Sequence, residues 1–127
     1  MRYGNPSIKY KISSLKEKGC ENIIVLPLYP QYASPTTASV CDEVYRVLLK
    51  MRWQPSIQIV PHYETNPFYI NALVNSIKEK LKAMTYTPDL IITSYHGIPE
   101  KYFLKGDPYH CYCHKTTRLI EEKINIK

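Results

Sequence analysis

Residues 22–28 read NIIVLPL, a run of β-branched and aliphatic side chains in which polar and apolar residues do not alternate. Such a run is typical of a strand in a parallel sheet that is buried on both faces, because helices cover both faces of that kind of sheet. Two shorter runs of similar character follow, at residues 56–60 and 89–94. The sequence therefore predicts three strands that lie in one parallel sheet.

Helical segments lie before, between and after these strands, because their apolar side chains recur at three- and four-residue spacing. Their expected starts are Asn5, Thr36 or Thr37, Asn66 and Thr116. Two of these starts place proline directly after asparagine, which suits a helix cap and the first helical position. Helices that alternate with short apolar strands predict an α/β fold with right-handed crossovers and a mainly parallel sheet. Three strands are few for such a sheet, so we expect the fold to be incomplete.

The composition describes an ordinary folded domain, since 44% of the 127 residues are hydrophobic and 22% are charged. The net charge is +6, but lysines alternate with glutamates as in Lys16-Glu17-Lys18, which is typical of a solvated helix face and argues against a nucleic acid partner. No apolar run approaches the roughly 20 residues of a transmembrane helix. The first residues lack the layout of a secretory signal, so we expect a reducing compartment and four free thiols.

His96 is the strongest candidate for chemistry in the sequence. Ligands of open α/β sheets bind beyond the carboxyl ends of the strands, and His96 follows the predicted third strand there. We expect Gly97 to relieve crowding and Pro99 to stiffen the exit, so that the imidazole faces a cleft as a base or a metal ligand. The alternative that His96 only hydrogen-bonds a neighbouring turn stays open. Arg2, Tyr3 and Tyr29 fall in segments that we expect at the same edge.

A second group of interest is HCYCH at residues 110–114. Structural zinc sites need four ligands and usually a longer cysteine spacing, and Cys20 and Cys41 fall in or beside other helices. The sequence therefore leaves the role of Cys111 and Cys113 open. It contains no GxGxxG, Walker, HExxH or GxSxG motif, so dinucleotide, nucleotide triphosphate and common hydrolase functions lose their main support.

Taken together, four separated motifs resemble the bacterial form of the ferrochelatase family. They are MRYGNP at residues 1–6, LPLYPQY at 26–32 with Thr36-Thr37 after it, SYHGIP at 94–99, and KGDPY at 105–109. Their order is that of the family, and the resemblance extends over essentially the whole chain.

This resemblance implies a fold of two similar Rossmann-like halves with a porphyrin cleft between them. The implied reaction is the insertion of Fe²⁺ into protoporphyrin IX, the last step of haem biosynthesis, with ferrous iron and the porphyrin as substrates. His96 matches the family's active-site histidine, to which either metal binding or proton abstraction is assigned. Arg2 and Tyr3 match a cleft pair linked to metal entry and porphyrin contact, and Tyr29 lies in the loop that flanks the macrocycle.

The chain also departs from the family pattern, because family members are far longer. We expect residues 1–127 to cover the later part of the first half and the start of the second, and to be inactive alone because half of the cleft is missing. Whether this shortness is natural stays open. The alternatives are a related tetrapyrrole chelatase for another metal and a noncatalytic remnant.

The resemblance bears on a cofactor and on location as well. Ser34 stands near the position of a cluster ligand in animal members, which argues against a [2Fe–2S] cluster of that type. The likeness to bacterial members implies a cytoplasmic location. The sequence does not decide the oligomeric state or association with a membrane surface.

Overall fold

The computed structural model describes residues 4–124, which fall into two compact units, Met1–His62 and Tyr63–Lys127. The first unit contains α1 (Ile8–Glu17), β1 (Asn22–Val25), a π-helix (Ser34–Ala38), α2 (Ser39–Leu48) and β2 (Ser56–Ile59). The second unit contains α3 (Pro67–Ala83), α4 (Glu100–Leu104) and α5 (Tyr109–Ile124). The mixture of helices with a small parallel sheet confirms the predicted α/β class in an incomplete form.

In the first unit, β1 and β2 are parallel neighbours, and Ile23 pairs with Ile57 in the register of the ladder. Helices α1 and α2 pack on one face of the sheet. The core between them and the sheet is formed by Ile12, Ile23, Val44, Val47 and Leu48. The expectation that β1 is buried on both faces is wrong, since Ile24 on the other face is 69% exposed. Side chains alternate between the faces of a strand, so helices on one face bury only alternate residues.

The helix boundaries follow local capping chemistry. α1 begins later than predicted, because the side chain of Ser7 rather than Asn5 caps it by accepting a hydrogen bond from the Tyr10 backbone N–H at 3.1 Å. Gly19 after α1 has a φ of 81°, the left-handed conformation that glycine adopts without steric cost. Asn66 caps α3 as predicted, since its Oδ1 accepts from the Phe68 N–H at 3.0 Å.

The second unit is built on the packing of α3 against α5. Its buried core consists of Ile70 and Val74 from α3 and Ile120 from α5. Thr116 of α5 is also buried, and its Oγ1 donates to the backbone carbonyl of Tyr112 at 3.0 Å. This bond satisfies the buried hydroxyl within the helix.

The predicted third strand, residues 89–94, is not a strand in the structure. The segment is irregular, and Leu90 and Ile92 are 73% and 80% exposed. A strand is defined by hydrogen bonds to a neighbouring strand, and residues 63–124 supply no second strand to this unit. The residue types favour a strand, but the ladder that would form it has no partner among these residues.

Two further differences concern the segment after residue 99. A short helix, α4, lies where no helix is predicted, and α5 starts at Tyr109 instead of Thr116. Within residues 4–124, none of the helices combines the length and the apolar character needed to cross a bilayer.

Candidate active site

His96 lies in the irregular segment between α3 and α4, with its side chain exposed. Among the described residues, none forms a hydrogen bond or an ion pair with the His96 imidazole. Within the described residues, the His96 ring therefore does not form the hydrogen bond to a neighbouring turn that the alternative expects. An exposed neutral imidazole keeps one ring nitrogen lone pair that can accept a proton or bind a metal ion.

The segment that carries His96 is fastened to α5 by the hydroxyl of Thr117. Tyr95 Oη lies 2.9 Å from Thr117 Oγ1, and Thr93 Oγ1 lies 3.1 Å from the same atom. A hydroxyl can donate one hydrogen bond and accept others, so Thr117 can serve both partners at once. The two residues on the N-terminal side of His96 are thus tied to the middle of α5.

A second connection joins α5 to His96 itself through Tyr109. The Tyr109 hydroxyl lies near the Cys113 thiol one helical turn away and near the backbone N–H of His96, and both groups affect its pKa. Burial, the hydrogen bond to Cys113 and the neighbouring Cys113 and Tyr95 raise the pKa of Tyr109 to about 12, although the His96 N–H lowers it. Burial likewise raises the pKa of the Cys113 thiol, while the Tyr109 hydrogen bond lowers it. Both groups therefore stay protonated near neutral pH, which suits a structural hydrogen-bond network.

The sequence does not predict that Tyr109, Cys113 and Thr117 lie beside the His96 segment, because the predicted start of α5 is seven residues too late. The available signal was Asp107-Pro108, which is a cap followed by proline like Asn66-Pro67. Asp107 Oδ1 accepts a hydrogen bond from the Tyr109 N–H at 3.0 Å and so caps the helix. With that start, residues 109, 113 and 117 share one helix face at four-residue spacing.

The space next to Gly97 is open. Apart from its two chain neighbours, no heavy atom of the described residues, 4–124, lies within 4 Å of a Cβ added at Gly97. The expectation that Gly97 relieves crowding is therefore wrong for contacts inside the chain. An unoccupied approach to the backbone beside His96 is instead the arrangement that a ligand lying close to the main chain requires.

In the first unit, Tyr29 lies in the loop between β1 and the π-helix and is 46% exposed. The loop is anchored by buried residues on the C-terminal side of Tyr29, namely Gln31 and Ala33. π-Helices are rare in proteins, and those that occur are often found at functional sites. Within this one, Thr37 is fully buried, and its Oγ1 has no hydrogen-bond partner among residues 4–124.

The predicted site residues fall in different parts of the chain. His96 belongs to the second unit and Tyr29 to the first, and each is described within its own unit. Arg2 and Tyr3 lie outside the described residues. The site that the structure assembles in detail is thus the His96 segment with the α5 residues that hold it.

The four cysteines are free, as predicted. Cys111 is exposed and Cys113 is buried, because successive residues of an α-helix differ by about 100° and residues two apart point to nearly opposite sides. Residues 4–124 contain no group of three or more His, Cys, Asp or Glu side chains that could hold a metal ion. Cys111 and Cys113 accordingly do not form a pair that chelates one ion.

Comparison with known proteins agrees with the sequence motifs. The ferrochelatase family model matches residues 1–127. The chain is 56% identical over 124 residues to the ferrochelatase of Allorhizobium ampelinum. The aligned region covers 98% of this chain and 36% of that relative. The chain is 55% identical to the ferrochelatase of Francisella tularensis subsp. novicida and 54% identical to that of Rhizobium meliloti, again over 98% of this chain and 37% of each relative.

The chain thus spans a little over a third of the length of the curated relatives it matches. The residues matched by the family model include the segment that carries His96 and the loop that carries Tyr29. On the evidence of the family model and of these relatives, the chain belongs to the ferrochelatase family.

Proposed function

We propose that this chain is part of a ferrochelatase that inserts Fe²⁺ into protoporphyrin IX to form protohaem. In this reaction the iron replaces the two pyrrole N–H protons, so two protons are released for each iron bound. Membership of the family and about 55% identity to relatives named ferrochelatase support the proposal. We further propose that residues 1–127 correspond to the later part of one Rossmann-like half and the start of the next.

The observation that carries the proposal is the contrast between the backbone and the side chain of His96. Tyr95, the residue before His96, is hydrogen-bonded to Thr117, and the Tyr109 hydroxyl lies near the His96 backbone N–H. The imidazole itself is exposed, beside the open space at Gly97. A reactive group that is fixed in position but accessible loses little entropy when the substrate arrives.

The imidazole has two possible roles in this reaction, and both use the same ring nitrogen lone pair. As a base, His96 accepts a pyrrole proton while the metal enters from the other side of the macrocycle. As a ligand, it replaces water on Fe²⁺ before the metal reaches the porphyrin nitrogens. The two roles differ in a measurable way, because only the ligand binds the metal when no porphyrin is present.

Other residues enter the proposal on the strength of the family motifs. We assign Tyr29 to porphyrin contact, which its exposed ring on an anchored loop supports. Arg2 and Tyr3 are assigned to the same cleft. Ser34 supports the absence of an animal-type [2Fe–2S] cluster, because such clusters are held by cysteine thiolates. The likeness to bacterial members supports a cytoplasmic location.

A chimaera tests the function. The matching segment of the Allorhizobium ampelinum ferrochelatase is replaced by this chain, and insertion of Fe²⁺ or Zn²⁺ into protoporphyrin IX is measured. We expect the chimaera to be active, His96→Ala to remove nearly all turnover, and the isolated chain to be inactive. His62→Ala is the matched control, since His62 is an exposed histidine of the first unit.

Each arm has an outcome that contradicts the proposal. A near-normal rate in the His96→Ala chimaera would remove His96 from the chemistry, and turnover by the isolated 127 residues would contradict the inactive-alone expectation. Circular dichroism and porphyrin binding separate a misfolded chimaera from a folded one without activity. Binding of Fe²⁺ without porphyrin that is lost in His96→Ala would assign the ligand role rather than the base role.

A further inference from the structure

A pair of histidines on α5 takes no part in the network around His96. His110 and His114 are four residues apart, and their Nε2 atoms are 3.2 Å apart. Both side chains are exposed. The rings are tilted by 59° with centroids 4.4 Å apart, so they are not stacked face to face. The two ring nitrogens therefore converge on one point at the surface of the helix.

The distance between the two nitrogens matches that of neighbouring ligands on one metal ion. Histidine nitrogen binds zinc at about 2.0–2.1 Å, so two such bonds whose ends are 3.2 Å apart enclose an angle of about 100°. This angle lies between the values for octahedral and tetrahedral coordination. In the structure the two Nε2 atoms are in hydrogen-bond contact, so a bound ion would take the place of that contact, with each ring carrying its proton on Nδ1.

The helix holds the pair in place. Cys113, Thr116 and Ile120 are buried on another side of α5, and Asp107 caps its first turn. Phe103 of α4 contacts the His110 ring edge-on, with ring centroids 5.1 Å apart. The aromatic contact restricts the His110 rotamer, so part of the entropy cost of ordering this ligand is met before an ion arrives.

We propose that His110 and His114 form a two-histidine surface site for a divalent cation of the first transition row. Imidazole ligands select copper, nickel, zinc and cobalt over magnesium and calcium, which prefer oxygen. No third His, Cys, Asp or Glu completes the site within residues 4–124, so water fills the remaining positions. The site does not include His96. The proposal of this site therefore does not depend on the proposed metal insertion.

The test is a titration of the chain with NiCl₂ followed by calorimetry. We expect one Ni²⁺ to bind through the pair, and His110→Ala and His114→Ala each to weaken binding on the order of 100-fold, because one ligand loses the advantage of intramolecular binding by the second. His62→Ala and Cys111→Ser are the matched controls and should keep the wild-type affinity. MgCl₂ should give no binding at the pair.

A second measurement does not depend on the variants folding. Electron paramagnetic resonance of the wild-type chain with one equivalent of CuCl₂ should give coupling to two imidazole nitrogens. Unchanged Ni²⁺ affinity in folded His110→Ala or His114→Ala overturns the proposal. So does a Cu²⁺ spectrum with a single nitrogen, or a loss of Ni²⁺ binding in Cys111→Ser that the pair variants do not cause.

Discussion

Tyr95 Oη and Thr117 Oγ1 lie 2.9 Å apart, so the residue just before His96 is hydrogen-bonded to the middle of α5. The helix thereby acts as a support for a segment that has no regular secondary structure of its own. Irregular segments that carry functional residues are commonly positioned by rigid elements in this way. The position of the His96 backbone therefore depends on side chains that lie more than twelve residues further along the chain.

A double-mutant cycle measures this support. Tyr95→Phe and Thr117→Val should each lower the free energy of unfolding by about 1 kcal/mol, because each removes one member of the hydrogen-bonded pair. The double variant should lose less than the sum, since the shared interaction can be lost only once. Urea unfolding gives the values, and Thr85→Val at an exposed threonine of the same unit is the control. Strict additivity would mean that the two hydroxyls do not interact.

The open space at Gly97 predicts that an added methyl group is tolerated. Gly97→Ala should change the free energy of unfolding by no more than about 0.5 kcal/mol, because no atom of residues 4–124, apart from Gly97 and its two chain neighbours, lies within 4 Å of the new Cβ. Gly106→Ala is the matched control, since Gly106 has a φ of 92° and alanine there should cost about 1–2 kcal/mol.

The same substitution also bears on function. In the chimaera, we expect Gly97→Ala to weaken porphyrin binding, because the methyl group would occupy space beside His96 that is proposed for the ligand. Fluorescence quenching of protoporphyrin measures this affinity. A strongly destabilised Gly97→Ala chain would contradict the open space, and an unchanged porphyrin affinity would move the ligand elsewhere.

The buried hydroxyl of Thr37 predicts a stabilising substitution. Thr37 Oγ1 has no partner within residues 4–124, and an unpaired buried hydroxyl is costly. Thr37→Val replaces it with a methyl group of similar shape and should raise the free energy of unfolding by about 1 kcal/mol. Thr36→Val should have the opposite sign, because Thr36 Oγ1 donates to the Ala33 carbonyl at 3.3 Å. A loss of stability in Thr37→Val would indicate that the hydroxyl has a partner.

The raised pKa of Tyr109 predicts a loss of stability at high pH. A phenol whose pKa rises from 10.0 when unfolded to about 12 when folded holds its proton more tightly in the folded state. Its contribution is complete below pH 10 and is lost as the pH rises toward 12, so stability falls with pH across that window. The slope should be smaller in Tyr109→Phe.

Unfolding midpoints between pH 9 and pH 12 measure that slope. Tyr63 contributes in the same direction, since burial raises its pKa too, so the comparison is between variants. Tyr86→Phe, at an exposed tyrosine of the same unit, is the matched control. Equal slopes in Tyr109→Phe and in the unsubstituted chain would show that the Tyr109 proton is not held by the fold.

The two strands of the first unit illustrate how far the sequence carries the fold. Their β-branched runs predict β1 and β2 within three residues of where they end, because residue type and spacing are local properties. The segment at residues 89–94 has the same composition and yet is irregular. The difference lies in the neighbour: β1 has β2 beside it, whereas the second unit has no other strand within residues 63–124.

The candidate site divides in a similar way. The sequence predicts the candidate residues His96 and Tyr29 and the α/β class. A histidine after an aliphatic run and an aromatic loop are local features that can be recognised from the order of residues. The roles of Tyr109 and Thr117 are decided only by the tertiary structure. Hydrogen bonds between the His96 segment and α5 join residues that are distant in the chain, and which helix face meets that segment depends on the packing of α5 against α3, which no local pattern encodes.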